Sequence, residues 1–276
     1  MPINGETALL AVIGHPVKHS LSPHIQNHFI EATRLPYAYL AFDIEPGQVK
    51  EFARASLLLG MAGFNVTMPF KEEIIPCIDV MDSKAAMYGA VNTVVVRERR
   101  LYGYNTDGDG FLLSLAHHQY QLTQGKALIL GAGGAARTVA MALAQNGVNV
   151  CVAARRPEEA KKMMERSGLA LNYCHWDAIR ENAADCSLIV NGTPLGMHGT
   201  DKEFDDLSFL DMLPSGAFVY DLIYAPRETK FLSRAKNRGL TAVNGLSHLI
   251  CQAALAYALF TGIMPDQAVM DGLALS

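Results

Sequence analysis

Gly131, Gly133 and Ala136 are spaced as G-x-G-x-x-A, between the apolar run 126–130 and a helical pattern through 139–145. In a strand-to-helix turn each position has its own task. The first glycine permits the tight turn, the second lets the backbone approach a pyrophosphate, and the small third residue lets helix and strand pack closely. The helix that follows begins with unbonded amides, which together with the helix dipole favour an anion. Gly131, Ala132, Gly133, Gly134 and Ala135 are therefore the expected dinucleotide contacts. A glycine-rich turn can also exist without a ligand; the flanking strand and helix are what favour the cofactor. The tip of the next strand selects the nucleotide. An acid there, about 20 residues on, would bond the ribose 2′-hydroxyl of NAD. Here the run 148–153 ends in Ala154-Arg155-Arg156. Two guanidiniums suit a 2′-phosphate, so the expectation is NADP, although arginines also furnish ordinary solvated surface.

A second group of residues could bind a polyhydroxylated small molecule. Ser20-Leu21-Ser22-Pro23, Asn65-Val66-Thr67, Gly89-Ala90-Val91-Asn92-Thr93 and Asn105-Thr106-Asp107 place hydroxyls and amides at the ends of predicted elements. Ligands of open α/β sheets bind at such ends. Lys71 follows Pro69 and begins a helical pattern that aims it back at such a pocket; taken alone it reads as a surface lysine. Asp107 reads first as the cap of the helix through 111–115. Gln252 lies among apolar residues of 246–260, and a buried amide there needs a partner or a ligand. Metal binding is not expected. The run 105–110 imitates an EF-hand start, but Ala116 stands where the bidentate Glu belongs. The pairs His15/His19 and His24/His28 lack a third ligand.

The elements that must hold these residues follow from periodicity. Strands are expected at 9–13, 37–42, 63–66, 91–96, 101–104, 127–130, 148–153, 188–190 and 217–221, with 97–100 as a charged turn. Ser22 reads as an N-cap and Pro23 as the first residue of a helix to about Arg34, and 47–59 reads as another helix. The alternation argues for α/β architecture with largely parallel sheets. A length of 276 residues predicts two domains, a new unit starting at Lys126, and the lack of a flexible linker suggests a cleft between rigidly joined lobes. Half the residues are hydrophobic and 18% are charged, which excludes a disordered chain. A net charge of −4 argues against nucleic acid as partner. The run 249–264, interrupted by Gln252, Thr261 and Gly262, is too short for a membrane span. The start carries no basic segment ahead of its apolar run, and the five cysteines are scattered without a CxxC. A cytoplasmic protein acting on small molecules, as a monomer or homodimer, is the expectation.

The strings SLSP (20–23), NVTMPFK (65–71), GAVNT (89–93), GYNTDGDGF (103–111), GAGGAAR (131–137), NGTPLGM (191–197), DLIYAPRETKFL (221–232) and NGLSHLICQAA (244–254) occur in this order. Together they resemble the shikimate dehydrogenase family over nearly the whole chain. The resemblance implies reversible NADP-dependent reduction of 3-dehydroshikimate to shikimate, on the route to aromatic amino acids. It implies an N-terminal α/β substrate domain, 1–107 completed by 245–276, and a Rossmann-like NADP-binding domain, 108–244, with the C-terminal helices returning to the first lobe. By motif position it makes Lys71 and Asp107 the catalytic pair. It makes Ser20, Ser22, Asn65, Thr67, Asn92, Tyr224 and Gln252 substrate contacts, and adds Thr193, Leu222 and Gly245 to the cofactor contacts.

The chain departs from the family's usual pattern at several places. Ala154-Arg155-Arg156, with Glu159 following, stands where the family usually has Asn-Arg-Thr and a later basic residue. Ser247-His248 replaces a Gly-Met step, Asn244 a common Asp, and Gln26 a common His. His248 is read first as a tolerated variation on the pocket rim, with a change in nicotinamide packing or substrate choice as the alternative. It keeps one rival open: a quinate/shikimate dehydrogenase, or a paralogue acting on another cyclic hydroxy acid. A non-catalytic ligand sensor on the same lobes would be free to lose Lys71 and Asp107, and both are present.

Overall fold

The computed structural model of the chain describes residues 3–122, 125–165, 167–200 and 202–275. It divides into two compact units, Met1–Thr106 with Ile250–Ser276, and Asp107–Leu249. The first unit opens with β1 (Ala8–Gly14), α1 (Ser22–Thr33), β2 (Tyr37–Asp43), α2 (Val49–Leu58) and β3 (Gly63–Val66). It continues with β4 (Val80–Met81), α3 (Ser83–Tyr88), β5 (Thr93–Arg97) and β6 (Arg100–Tyr104). These strands form one sheet in the order β2-β1-β3-β5-β6-β4. Leu10, Ala11, Val12 and Ile13 of β1 are at most 1% exposed, as expected of a strand covered on both faces. Ala11 and Ile13 join Phe64, Val66, Phe70 and Ile74 in one core; alternation along the strand sends Leu10 and Val12 to the other side.

This sheet is mixed rather than largely parallel. β1 runs parallel to β2 and β3, but β5 is antiparallel to β3 and β6. The turn between β5 and β6 accounts for the second of these antiparallel pairings. Glu98 and Arg99 both take positive φ, 51° and 57°, the two-residue turn that matches the twist of a hairpin. Two other expectations are corrected. Ser22 is the first residue of α1, not its cap: the Leu21 carbonyl accepts the Ile25 N–H at 3.0 Å, and the Ser20 hydroxyl accepts the Ser22 N–H at 3.2 Å. Lys71 lies in a series of turns that ends in a single 3₁₀ turn, Ile75–Cys77, and no α-helix begins there. Pro76 has no N–H to continue such a helix, and it disfavours α geometry at Ile75.

The second unit contains α4 (Asp107–His117), β7 (Lys126–Leu130), α5 (Gly134–Gln145), β8 (Asn149–Ala154), α6 (Pro157–Glu165) and β9 (Asn172–His175). After these come α7 (Ile179–Ala183), β10 (Cys186–Asn191), β11 (Phe218–Asp221), α8 (Lys230–Asn237) and β12 (Thr241–Val243). All pairings are parallel, in the order β12-β11-β10-β7-β8-β9. This is the doubly wound arrangement, and its order reverses between β7 and β10. Leu128, Leu130, Ile189 and Val219 line one core with Phe231 and Leu232 of α8. The chain closes with α9 (Leu246–Thr261) and α10 (Gln267–Leu275). The boundary between the units falls within α9. In the first unit, Tyr257 of α9 meets Phe29 of α1 edge-on at 5.7 Å. Gln26 of α1, fully buried, donates to the Ala253 carbonyl of α9 at 2.9 Å. The Gln at this position thus ties two helices together.

Candidate active site

The β7–α5 turn sits at the point where strand order reverses, outside the carboxyl ends of the strands, as a nucleotide site requires. Gly131 has φ +98°, a conformation costly for any other residue, and its N–H bonds the Ala153 carbonyl at 2.8 Å. Ala136 is fully buried against the end of β10, where a Cβ on Gly192 would lie 2.6 Å from the Ala136 Cβ. The close helix–strand approach expected of a small residue is therefore a two-sided fit. Gly192 is the half that sequence reasoning missed, although Asn-Gly directly after an apolar run is a visible signal.

A cavity of about 840 Å³ opens at this turn. It brings together Gly131, Ala132, Gly133, Arg155, Arg156 and Thr193. Gly134 and Ala135 stand one step on, as the exposed first residues of α5. At Gly133 an added Cβ would meet nothing within 4 Å, so this backbone has open space over it where a pyrophosphate could approach. These residues fit a dinucleotide. Arg155 is exposed at the tip of β8. Arg156 forms an ion pair with Glu159 at 3.0 Å, so one of the two guanidiniums already has an anionic partner. Leu222 and Gly245 do not line this cavity, but they are in contact with each other. The Gly245 N–H bonds the Ile223 carbonyl at 2.9 Å, and a Cβ on Gly245 would lie 2.1 Å from the Leu222 carbonyl oxygen.

In the first unit Asn65, Asn92, Thr93, Thr106 and Gln252 of the predicted polar residues form one connected network. Asn65 Oδ1 accepts from Tyr39 Oη at 2.7 Å, and Asn65 Nδ2 donates to the Asn92 carbonyl at 3.0 Å and to Thr93 Oγ1 at 2.9 Å. The Thr93 hydroxyl donates to Asn92 Oδ1 at 2.8 Å. Asn92 then meets Thr106, receiving its backbone N–H at 2.9 Å and donating from Nδ2 to its hydroxyl at 3.0 Å. Gln252 of α9 lies 3.5 Å from the same hydroxyl. Asn65, Asn92, Thr93 and Thr106 are all buried, a setting in which every polar group needs a partner. Both Asn65 amide hydrogens are spent on this frame, so Asn65 orients its neighbours. Tyr39 escaped sequence reasoning, since it looks like an ordinary strand residue.

Ser20 and Thr67 follow the carboxyl ends of the parallel strands β1 and β3. The Thr67 N–H continues the ladder to the Ile13 carbonyl at 2.9 Å. Its methyl crowds Gly14, where an added Cβ would lie 2.4 Å away. Ser20 and Ser22 are half-buried at the start of α1. Lys71 is half-buried, and its carbonyl accepts the Val91 N–H at 2.8 Å, fixing the Lys71 turn to the loop that carries Asn92. In the second unit, Asp107 is 8% exposed and opens α4, where the dipole favours a carboxylate. His248 is not a rim residue. It is buried edge-on against Phe111 at 5.9 Å, and its Nε2 is bonded to the Asp107 carbonyl at 2.9 Å. Tyr224 is half-buried after β11. Among the described residues, no three His, Cys, Asp or Glu side chains stand together as a metal site.

Comparison with known proteins bears on both units. A family model for the shikimate dehydrogenase substrate binding domain matches residues 12–94, and one for shikimate/quinate 5-dehydrogenase matches residues 114–196. The chain is 44% identical to a shikimate dehydrogenase (NADP(+)) of Moorella thermoacetica, over 98% of this chain and 93% of that one. A crystal structure of a shikimate dehydrogenase in complex with NADP+ superposes with a TM-score of 0.90 at 35% identity, covering 99% of this chain and 96% of the other. The shikimate 5-dehydrogenase of Thermus thermophilus in complex with NADP(H) and shikimate gives 0.83 at 37% identity, covering 98% and 99%.

Proposed function

The chain belongs to the shikimate dehydrogenase family, and from that premise we propose that it reversibly reduces 3-dehydroshikimate to shikimate with NADPH, with Lys71 and Asp107 as the acid–base pair. The observation that carries the cofactor half is the cavity that joins the Gly131–Gly133 turn to Arg155 and Arg156. The amides that open α5 take the pyrophosphate, and the arginines take the 2′-phosphate. Leu222 and Gly245 border the nicotinamide, with Thr193 beside the phosphates.

NADPH supplies the hydride. Its arrival at the ketone carbon leaves an alkoxide that needs a proton. A lysine ammonium has one to give at neutral pH, and Lys71 gives it. Asp107 balances the ammonium charge and helps to orient it. In the oxidative direction Lys71 first releases a proton and then takes one from the substrate hydroxyl. Ser20, Ser22, Thr67, Asn92, Tyr224 and Gln252 bind the substrate's hydroxyls and carboxylate, with Asn65 holding the frame around Asn92. Among the described residues no helix is long and apolar enough to cross a membrane, and the reading places the work in the cytoplasm on free small molecules.

The test is stoichiometric. Purified protein given 3-dehydroshikimate and NADPH should yield one shikimate per NADPH oxidised. Binding of both ligands without turnover would make the chain a sensor instead.

A further inference from the structure

Asp221, the last residue of β11, is fully buried, and the reaction described above gives it no part. One carboxylate oxygen accepts from Asn191 Nδ2 and from the Ile223 N–H, both at 3.0 Å. The other accepts from the Thr229 hydroxyl at 2.7 Å. Three donors converge on one side chain, and only an ionised carboxylate offers acceptors to all of them without a proton of its own. The groups that reach it from β10, from its own strand end and from the cap of α8 are an amide, a backbone N–H and a hydroxyl, none of which titrates. Burial without a cationic partner pushes its pKa up to about 6. A buried charge without a cation is a costly way to hold a fold together, which directs attention to what its partners do next.

Two of these partners, Asn191 and Ile223, lead to the cofactor side of this unit. Asn191 Oδ1 accepts both the N–H and the hydroxyl of Thr193, at 3.0 and 2.7 Å. Thr193 lines the cavity beside Gly131. Ile223, held by Asp221 through its N–H, accepts the Gly245 N–H at its carbonyl. The Leu222 N–H bonds the Asn191 carbonyl at 2.9 Å. We infer that Asp221 is a positioning residue for the cofactor: it fixes the loops that present Thr193, Leu222 and Gly245 to NADP(H). The inference rests on the cofactor reading above.

The test measures NADP+ binding by calorimetry, beside kinetics and thermal melting, for the parent and Asp221→Asn. Asparagine keeps the shape but cannot accept at its nitrogen. At alkaline pH the variant should bind NADP+ roughly tenfold more weakly, the value of one hydrogen bond to a charged group, with KM for shikimate almost unchanged. Parental affinity should fall as pH drops through about 6, and more steeply than the variant's, which should keep only the step from protonation of the NADP+ 2′-phosphate at about the same pH. Equal affinities, or a parallel loss in NADP+ and shikimate binding with a lowered Tm, would overturn the inference. If Asp221→Asn does not fold, Thr229→Val should weaken NADP+ binding while Thr229→Ser keeps it; parental binding by the valine variant would be equally contrary. A parent that binds no NADP+ would overturn the cofactor reading, and this inference with it.

Discussion

Arg156 and Glu159 hold each other at 3.0 Å with side chains 77% and 53% exposed. Such a pair is worth at most about 1 kcal/mol, yet any phosphate that recruits Arg156 must compete with it. Glu159→Gln should therefore raise the preference for NADP+ over NAD+ by roughly fivefold, the factor that 1 kcal/mol supplies. An unchanged ratio of kcat/KM values would mean that Arg156 does not read the 2′-phosphate. Lys71 makes the sharper case. Lys71→Ala should lower kcat by about 10²–10⁴-fold, the range for a lost general acid, with a modest change in KM for shikimate. Near-normal turnover would remove Lys71 from the chemistry. The residues with chemical side chains were legible because their types and spacing carry the signal. Tyr39 was not, because a strand tyrosine gives no sign that its hydroxyl ends on Asn65.

At the scale of elements, two glycines in the second unit serve different physical ends within one fold: Gly133 faces open space and Gly245 faces a carbonyl. Gly133→Ala should melt near the parent temperature and raise KM for NADP+ several-fold, since its methyl group enters the space over the turn. Gly245→Ala should lower Tm by several degrees, as overpacking against backbone costs about 1–3 kcal/mol. The reverse pattern in melting curves and KM values would misassign both. Long, strongly apolar strands were legible from sequence: β1, β7 and β8 lie where periodicity puts them, within a residue or two at their ends, while α5 starts at Gly134, ahead of the 139–145 pattern. β4 and β12, of two and three residues, carry too few positions for a pattern to form, and β9, Asn-Tyr-Cys-His with no fully buried residue, shows no apolar run. The turn at Lys71 misled for a different reason. Its apolar spacing resembles a helix, and Pro76 prevents one from forming.

At the scale of the whole molecule, the buried carboxylate of Asp221 leaves a thermodynamic mark. Its pKa rises from 3.8 to about 6 on folding. The folded state therefore holds its proton more tightly, and the stabilisation is fully present below the unfolded value. It is lost as pH rises through the folded one, by about 3 kcal/mol. Unfolding free energy of the parent should thus decline between about pH 4 and pH 6 relative to Asp221→Asn; parallel pH profiles would show that the carboxyl titrates normally. The two-unit count was legible from length, and the α/β class from rhythm. The antiparallel pairing of β5 with β3 was not, because strands so far apart in the chain carry no local signal of the direction in which they pair. The central claim concerns substrate and cofactor together. Its most direct test is the set of four kcat/KM values for shikimate and quinate, each with NADP+ and NAD+. The account predicts that shikimate with NADP+ is the highest of the four; a higher value for quinate, or for NAD+ with shikimate, would contradict it.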